Sequence, residues 1–287
     1  MTKAAPQAEQ RRAMLRIMFT FVKIAVAIYI GLLAGLYFCQ RTLEYLPVSV
    51  SSGTPKQSGV GEMSVVTFKT PDDLSLTGWF APPKEKNGRV VLLLHGQGIN
   101  ISFNRLKARQ FLDAGYGMFL CEYRGSGGNP GSPTEEGLYN DARGAMRWLK
   151  ERGYDAPKVV LYGESLGTGV AIQMGTEFPV AAVVLEAPYS SAVEIAALRY
   201  PYFPIRWLMK DPLDSVSKVR NVKAPLLVIH GQIDGYIPIE FGRKLFDAAK
   251  EPKTFIAVKD AGHPPDLYEH GAGKMIIDWL DKQGKAK

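Results

Sequence analysis

Ser165 lies between two glycines at a point where a strand-like run gives way to a helix-like one. The apolar residues 158–162 precede Gly163-Glu164-Ser165-Leu166-Gly167, and an amphipathic stretch begins at Val170. In a Gly-x-Ser-x-Gly turn the serine hydroxyl stands above the sheet, and Gly163 and Gly167 leave room where a Cβ would collide with a neighbouring element. The start of the helix directs backbone N–H groups and a positive dipole at the reacting oxygen. The pattern therefore predicts that Ser165 is a nucleophile.

A serine hydroxyl needs a general base with a pKa near neutrality, and the chain offers four histidines. His263 lies in the loop between the last strand-like and the last helix-like segment, from which a side chain can reach back over a sheet. His270 falls in a helical pattern, where we expect a solvated face. His95 and His230 each end an apolar run in a His-Gly pair, and we expect them to shape those turns. The sequence favours His263 as the base.

The base in turn needs a carboxylate that orients it. Asp234 is the only carboxylate in the loop 231–238, which follows the apolar run 225–230. Asp260 is an alternative, but it is so close to His263 along the backbone that its side chain does not easily face the imidazole ring. Asp234 could also serve only to stabilise a turn. We predict that Asp234 is the acid.

The oxyanion that forms when a serine attacks a carbonyl needs hydrogen-bond donors. The backbone N–H of Leu166, directly after the nucleophile, is the first expected donor. The second is expected from the loop after the apolar run 89–95, where Gly96 leads into Gln97. By position we assign this donor to the backbone N–H of Gln97.

Strand-like and helix-like segments alternate along most of the chain. The run 89–95 is apolar at almost every position, which is typical of a strand buried on both faces of a parallel sheet. The alternation predicts an α/β fold with a mainly parallel, doubly wound sheet and a ligand site at the carboxyl ends of its strands. After a hairpin at 64–80, the predicted strands are 89–95, 117–122, 158–162, 180–186, 225–230 and 254–258, and the predicted helices 102–114, 135–152, 239–249 and 266–282.

The N-terminal region contains an apolar run long enough to cross a bilayer as a helix. We divide the chain into a basic N-terminus (1–16), a transmembrane signal anchor (17–39), a linker (40–60) and a catalytic domain (61–287). Basic residues precede the run, so the positive-inside rule predicts a cytoplasmic N-terminus and a catalytic domain on the extracytoplasmic side. The basic residues are Arg11, Arg12 and Arg16.

Three alternatives to a signal anchor remain open for this run. A cleaved signal peptide is disfavoured because residues 35–39 lack an A-x-A-like cleavage site. The Arg11-Arg12 pair faintly resembles a twin-arginine address. A buried core helix is disfavoured by the length of the run and by the one-sided charge.

Composition excludes several classes of protein. The net charge is +7, of which residues 1–23 contribute +4, so the rest of the chain is nearly balanced and has no basic stripe for nucleic acid. The two cysteines, Cys39 and Cys121, indicate neither a disulfide framework nor a metal site. Cys121 falls in an apolar run and is expected to fill the core. The predicted reaction requires no metal or cofactor.

Together these motifs resemble the α/β-hydrolase superfamily, across residues 61–283. The chain order of Ser165, Asp234 and His263 is also the order in α/β-hydrolases. The resemblance implies an α/β-hydrolase fold and a serine hydrolase with a Ser-His-Asp triad. The matching motifs are His95-Gly96, Gly163 to Gly167, His230 to Asp234 and Gly262-His263.

A narrower resemblance comes from the single N-terminal anchor and the segment 211–216 (Asp-Pro-Leu-Asp-Ser-Val). Both look like a small membrane-anchored group that includes protein depalmitoylases and is often labelled serine-aminopeptidase-like or lysophospholipase-like. This resemblance implies acyl hydrolysis without naming a substrate. One departure is Gln97, because relatives often have Asn or Gly after the His-Gly pair; its side chain could narrow the site.

Residues 187–224 form an irregular insert, which has room for two or three short helices but not for an enclosing domain. The segment 200–209 is densely aromatic. Its side chains either pack the insert onto the sheet or line an apolar acyl pocket that faces a bilayer. Asn100-Ile101-Ser102 matches a glycosylation sequon, which we discount because a glycan there would obstruct the oxyanion loop.

The sequence thus predicts a membrane-anchored serine hydrolase that cleaves esters or thioesters with apolar, lipid-like acyl groups. A serine peptidase with the same triad is the first alternative, since Glu164, Glu194, Asp211 or Asp214 could bind a substrate amine. A non-catalytic binding protein is the second alternative, and the complete set of motifs disfavours it.

Overall fold

A computed structural model of the protein describes residues 5–85 and 88–285. The chain divides into two compact units, residues 1–43 and residues 44–287. Helix α1 (Ala5–Tyr45) accounts for the described part of the first unit and extends at both ends beyond the predicted span 17–39. Its residues Glu9–Tyr45 have a mean hydropathy of 2.3 in their most apolar window and are long enough to cross a membrane.

The second unit is built on one eight-stranded sheet. Strands β3 to β8 are parallel to one another, and β2 pairs antiparallel with β1 and β4. The strand order is β1-β2-β4-β3-β5-β6-β7-β8, which confirms the predicted α/β-hydrolase fold with a mainly parallel sheet. The strands are β1 Ser64–Lys69, β2 Ser75–Ala81, β3 Val90–Leu94, β4 Gly117–Cys121, β5 Val159–Glu164, β6 Ala182–Glu186, β7 Leu226–Gly231 and β8 Lys253–Val258.

The described residues contain nine further helices. They are α2 Arg105–Asp113, α3 Glu135–Lys150, α4 Leu166–Glu177, α5 Ala192–Arg199, α6 Ile205–Leu208, α7 Ser215–Val219, α8 Ile239–Ala248, α9 Asp266–Glu269 and α10 Ala272–Lys285. Successive β3 side chains alternate between two hydrophobic clusters, so that Leu92 packs with α3 and α4, and Leu93 packs with α2 and α10. This two-sided burial explains why β3 is apolar throughout. Cys121 is buried in β4.

The structure departs from the predicted elements near the C-terminus. The single helix predicted at 266–282 is two helices, α9 and α10, separated at His270 and Gly271. Gly271 has a φ of +86°, which a right-handed helix cannot contain. The insert 187–224 forms three short helices, α5 to α7, within the predicted number.

Residues 46–61, most of which belong to the predicted linker 40–60, are hydrogen-bonded to the rest of the second unit. The Val48 carbonyl accepts from the Gly127 N–H at 2.8 Å, and the Ser52 hydroxyl donates to Glu122 at 2.6 Å. The buried Val60 side chain anchors the end of the segment. The proline, serine and glycine content that suggested a free linker also suits a docked, irregular segment whose backbone bonds to loops.

Candidate active site

Ser165 occupies a strained turn between β5 and α4. Its φ of +49° and ψ of −114° lie outside the regions that L-residues ordinarily adopt. The Ser165 N–H donates to the Glu186 carbonyl at 2.9 Å, which holds the turn against β6. A Cβ on Gly163 would lie 2.6 Å from the Gly167 carbonyl oxygen, and one on Gly167 would overlap the carbonyl of Leu94. The two glycines are therefore required by close backbone approach, as the motif predicts.

His263 links Ser165 to Asp234. Its Nε2 lies 3.0 Å from Ser165 Oγ, and its Nδ1 lies 2.7 Å from Asp234 Oδ2. The three side chains come from the ends of β5, β7 and β8, whose carboxyl ends meet at one edge of the sheet. The His263 side chain is 22% exposed and the Asp234 side chain is fully buried, so the imidazole can be reached from solvent and its carboxylate partner cannot.

The Asp234 carboxylate is held by donors from its own loop and from two histidines. Its Oδ1 accepts from the backbone N–H groups of Tyr236 and Ile237, both at 2.8 Å. Burial alone would raise the pKa of Asp234, but hydrogen bonds from His230 and His263 hold that pKa below its usual range. The carboxylate is therefore ionised at neutral pH, as a residue that orients an imidazolium must be.

The two expected oxyanion donors belong to residues next to the nucleophile and in the loop after β3. Leu166 is the first residue of α4, and a Cβ on Gly96 would lie 3.4 Å from the Ser165 Cβ, so the loop after β3 passes beside the nucleophile. Within the described residues, no hydrogen bond occupies the backbone N–H of Gln97 or of Leu166. Both groups are available to an oxygen that develops charge near Ser165.

Comparison with known proteins assigns the family. The sequence profile of a family described as serine aminopeptidase, S33, matches residues 85–210. The uncharacterised protein Rv2307c of Mycobacterium tuberculosis is 36% identical over 262 residues, which are 90% of this chain and 91% of that protein. The chain belongs to this family of α/β-hydrolases, and it is a serine hydrolase.

More distant matches agree with this assignment. The lysophosphatidylserine lipase ABHD12 of Mus musculus is 32% identical over 197 residues, which are 62% of the hydrolase and 49% of the mouse protein. The hydrolase thus matches about half the length of that lipase. The esterase Pf2001 of Pyrococcus furiosus superposes with a TM-score of 0.68 at 20% identity, covering 82% of the hydrolase and 98% of the esterase, and so shares its fold.

Tyr236 is a residue of the site that the sequence reasoning missed. Its ring lies 4.9 Å from the His263 ring, and its hydroxyl accepts a short hydrogen bond from the Gln97 side-chain amide. The Arg199 guanidinium carbon lies 4.1 Å from the centroid of the Tyr236 ring. The Gln97 side chain is thus linked to the acid loop through Tyr236. Position in that loop was the only sequence signal for Tyr236, because its residue type carries none.

A buried cluster of charged side chains next to the Ser165 turn was also missed by the sequence reasoning. Lys107 of α2 donates to Glu164 at 2.6 Å and makes a shorter bond to Glu186, which also accepts from the Tyr162 hydroxyl at 2.7 Å. Burial alone would lower the pKa of Lys107, but the two carboxylates raise it, so the ammonium is retained. Burial raises the pKa of Glu186. Three segments far apart in sequence supply the cluster, and no spacing rule connects them.

His95 and His230 take the structural roles expected from their positions. His95 Nε2 lies 3.0 Å from the buried Glu122, whose other oxygen accepts from the Ile101 N–H at 3.0 Å. This pair fixes the turn that leads into the oxyanion loop. His230 Nε2 lies 2.8 Å from the Ile237 carbonyl and braces the acid loop. The Asn100 side chain is buried and donates to the backbone of the docked segment at 3.2 Å.

The rejected alternatives lie away from Ser165. Asp260 is exposed and lies 3.9 Å from Lys259, and the His270 Nδ1 is 2.9 Å from the Asp266 carbonyl. Neither of these alternatives contacts the imidazole of His263. The structure thus brings together the predicted nucleophile, base and acid and excludes the competing residues from their contacts.

The side chains of segment 200–209 were expected either to pack the insert onto the sheet or to line an apolar acyl pocket, and neither expectation describes all of them. Phe203 and Leu208 are half-buried, as expected for side chains that hold the insert in place. Tyr202 and Trp207 are 85% and 88% exposed, so they neither pack onto the sheet nor line a closed acyl pocket.

Proposed function

We propose that this hydrolase cleaves carboxylic ester or thioester bonds through a covalent acyl-enzyme. The 3.0 Å approach of His263 Nε2 to Ser165 Oγ carries the proposal. His263 takes the proton of the Ser165 hydroxyl as the oxygen attacks the carbonyl carbon. Asp234 accepts from His263 Nδ1, fixes the tautomer in which Nε2 can act as base, and stabilises the imidazolium that forms.

The tetrahedral intermediate carries its negative charge on the former carbonyl oxygen. We assign its stabilisation to the backbone N–H groups of Leu166 and Gln97, together with the N-terminus of α4. His263 then returns the proton to the leaving alcohol or thiol, and the acyl group stays on Ser165. His263 deprotonates a water molecule, which attacks this acyl-enzyme; the bond from the acyl carbon to Ser165 Oγ breaks, His263 returns the proton to that oxygen, and the acid is released.

The proposed substrates have apolar, lipid-like acyl groups. Two observations support this class: the candidate membrane-spanning helix in the same chain, and the likeness to a mouse protein named lysophosphatidylserine lipase. We propose that α1 anchors the enzyme in a membrane. The basic residues Arg11, Arg12 and Arg16 favour a cytoplasmic N-terminus and an extracytoplasmic catalytic unit.

A serine peptidase is the second candidate, because the matched family is described as serine aminopeptidase. An aminopeptidase needs a carboxylate that can bind the free amine of its substrate. Three of the four carboxylates considered from sequence have other partners: Glu164 binds Lys107, Glu194 binds Lys244 at 2.6 Å, and Asp214 caps α7. The fourth, Asp211, is buried. These contacts favour ester or thioester cleavage.

Fluorophosphonate labelling tests the nucleophile directly. We expect the full-length wild-type chain to be labelled and Ser165→Ala to be unlabelled at equal thermal stability. Ser102→Ala is the matched control. Ser102 also follows the carboxyl end of a strand, and its hydroxyl donates to the Asn100 side chain at 2.6 Å. Labelling of this variant should persist. Labelling of Ser165→Ala would disprove the assignment.

An ester panel graded by acyl length tests the substrate class. We expect kcat/KM to rise from short to long acyl chains, since each buried methylene adds about 0.8 kcal/mol. Rates that fall beyond short chains would contradict the lipid-like substrate. Turnover of aminoacyl amides without turnover of any ester would establish the peptidase.

A further inference from the structure

Exposed apolar side chains are unevenly distributed over the second unit. Among the described residues 44–285, eleven large apolar side chains are exposed. Eight of them follow the carboxyl ends of β3, β6 or β7, where the site also lies. Two of the other three are in the docked segment 46–61, and one is in β1. The long helices α3, α8 and α10, which cover the two faces of the sheet, contribute none of the eleven.

Six of these side chains define what we call the apolar rim. Phe103 and Leu106 follow β3, and Ile233 follows β7. The insert after β6 supplies the other three and the two largest exposures, 85% for Tyr202 and 88% for Trp207. The rim is Phe103, Leu106, Leu198, Tyr202, Trp207 and Ile233. Isolated exposed apolar residues are normal on a protein surface, whereas a concentration at one edge indicates an interaction surface.

The charge of the insert narrows the chemistry of the partner. Residues 199–210 contain Arg199, Arg206 and Lys210 and no acidic residue. Glu194, the carboxylate that precedes this segment, binds Lys244 at 2.6 Å. Cations interleaved with exposed Trp and Tyr are typical of a segment that lies at the headgroup level of an anionic bilayer.

We propose that the apolar rim docks onto the surface of a lipid bilayer that contains anionic headgroups. Trp207 and Tyr202 insert at the headgroup level, while Arg199, Arg206 and Lys210 contact lipid phosphates. The mouth of the site then opens toward the acyl groups of the bilayer. The docking proposal rests on the proposed membrane anchoring, but it does not depend on the catalytic assignment.

A bilayer suits this surface better than a second protein. The same chain carries a candidate membrane-spanning helix, so a lipid surface is available to the rim at high local concentration. Trp and Tyr are the residues enriched at membrane interfaces because their rings are amphipathic. The rim also comes from three separate stretches of the chain, after β3, β6 and β7, and a fluid partner can conform to such a surface.

Tryptophan fluorescence isolates the rim in the intact protein. The chain has four tryptophans, and three of them (Trp79, Trp148 and Trp279) are at most 8% exposed. None lies in α1. The full-length chain is reconstituted into nanodiscs of phosphatidylcholine and phosphatidylglycerol whose acyl chains are brominated near the headgroup. We expect bromine to quench the wild-type emission, and Trp207→Phe to lose most of that quenching.

Trp279→Phe is the matched control, because Trp279 is 8% exposed and its indole N–H donates to Thr254 at 3.0 Å. It should retain the quenching. Quenching that is equal in wild type and Trp207→Phe, or absent from wild type in loaded discs, would overturn the docking and leave the anchor standing. Failure of the chain to enter discs would overturn the anchor, and the docking with it. Discs without phosphatidylglycerol should give weaker quenching; unchanged quenching would refute the role of the three cations.

Hydrolysis provides a second measurement. In Tyr202→Ser/Trp207→Ser, turnover of a long-chain ester held in the bilayer should fall about tenfold, the loss expected when buried aromatic area is removed. Turnover of a short, soluble ester should not change. If turnover of both esters falls by the same factor, the variant damages the site. If the variant cleaves both esters as fast as wild type does, the docking is refuted. If neither substrate is cleaved by wild type, the proposed function fails while the fluorescence result still decides the docking.

Discussion

Two clusters of hydrogen-bonded side chains involve the nucleophile turn. In the first, Asp234, His263 and Ser165 form a chain of hydrogen bonds. In the second, Lys107 bridges Glu164 and Glu186. Both clusters pair carboxylates with a cationic or basic group, and both contact the same short stretch of β5 and α4.

The clusters differ in access to solvent. The His263 side chain is 22% exposed, whereas those of Glu186 and Lys107 are 0% and 6% exposed. A group that exchanges protons with a substrate must be reachable, so we expect the first cluster to act on the reaction. A closed ion cluster instead makes removal of one partner costly, because the remaining charge is left in a medium that solvates it poorly. We expect the second cluster to act on stability and on the position of the turn.

The largest expected effect is on the rate, from Asp234→Asn. The variant keeps the shape of the side chain but loses the charge that fixes the His263 tautomer, so kcat should fall about 10⁴-fold. Steady-state kinetics on an ester, with thermal unfolding as a check on folding, measure this. Asp260→Asn is the control and should retain activity, since the Asp260 side chain is 74% exposed and pairs with Lys259 at 3.9 Å. Equal losses in both variants would contradict the choice of acid.

The next effect is on stability, from Lys107→Met. Two buried carboxylates would lose their common cation, so the free energy of unfolding should fall by about 3–5 kcal/mol. The matched control is Arg109→Met on the same helix, because Arg109 pairs with the exposed Glu62 and should cost about 1 kcal/mol or less. Chemical denaturation of the full chain in detergent measures both. Equal losses of stability in the two variants would show that the buried cluster of Lys107 is no more costly to break than an exposed ion pair.

The pH dependence of stability should have opposite signs at Glu186 and Glu62. Burial raises the pKa of Glu186 in the folded state above its ordinary 4.5. As pH rises above 4.5, this carboxyl loses its proton more readily in the unfolded state than in the folded state, so the free energy of unfolding falls. Glu186→Gln removes this penalty and should gain stability relative to wild type as pH rises. A hydrogen bond from Arg109 lowers the pKa of Glu62, whose contribution to stability is present above 4.5 and lost as pH falls. Glu62→Gln should therefore lose stability relative to wild type as pH rises.

Denaturation series from pH 4 to pH 7 would measure both slopes. The signs are the discriminating result, because other carboxylates shift all three proteins alike and cancel in the differences. Parallel slopes for the two variants would show that Glu186 is not destabilised by its burial.

The smallest expected effect is on the rate, from Tyr236→Phe beside His263. The variant removes the hydroxyl that accepts from Gln97 but keeps the ring beside His263, so kcat should fall several-fold, in line with about 1 kcal/mol for one hydrogen bond. Tyr200→Phe is the control, since the two tyrosines are 39% and 37% exposed. Stability should not change in either variant. A loss of stability without a change in rate would place Tyr236 with the buried cluster instead.

The main features of the fold and the site could be predicted from sequence because each has a local signal. The apolar run of β3 marks a strand buried on two faces, and the glycines around Ser165 mark a turn that a Cβ would block. His263 and Asp234 could be selected by elimination, because few histidines and carboxylates follow strand ends. The contacts of His263 with Ser165 and with Asp234 follow from parallel strands, whose carboxyl ends share one edge.

Other features have no local signal. Lys107 and Glu186 are separated by 79 residues and come from a helix and a strand end, so only their juxtaposition reveals the cluster. The predicted last helix was wrong at Gly271, since the helical pattern on either side conceals a residue with positive φ. The aromatic content of the insert was evident, but the exposure of Tyr202 and Trp207 depends on how three short helices fold back.

The sequence by itself determined the order of the elements, the strained serine turn and the identity of the three residues proposed to act together. These depend on residue type and on neighbours in the chain, which is the information that periodicity and glycine spacing carry. Only the tertiary structure decided which charged groups are closed off and which are open, that Tyr236 contacts both Gln97 and His263, and which large apolar side chains are exposed. Solvent access and long-range contact are properties of the folded surface, and no short stretch of sequence contains them.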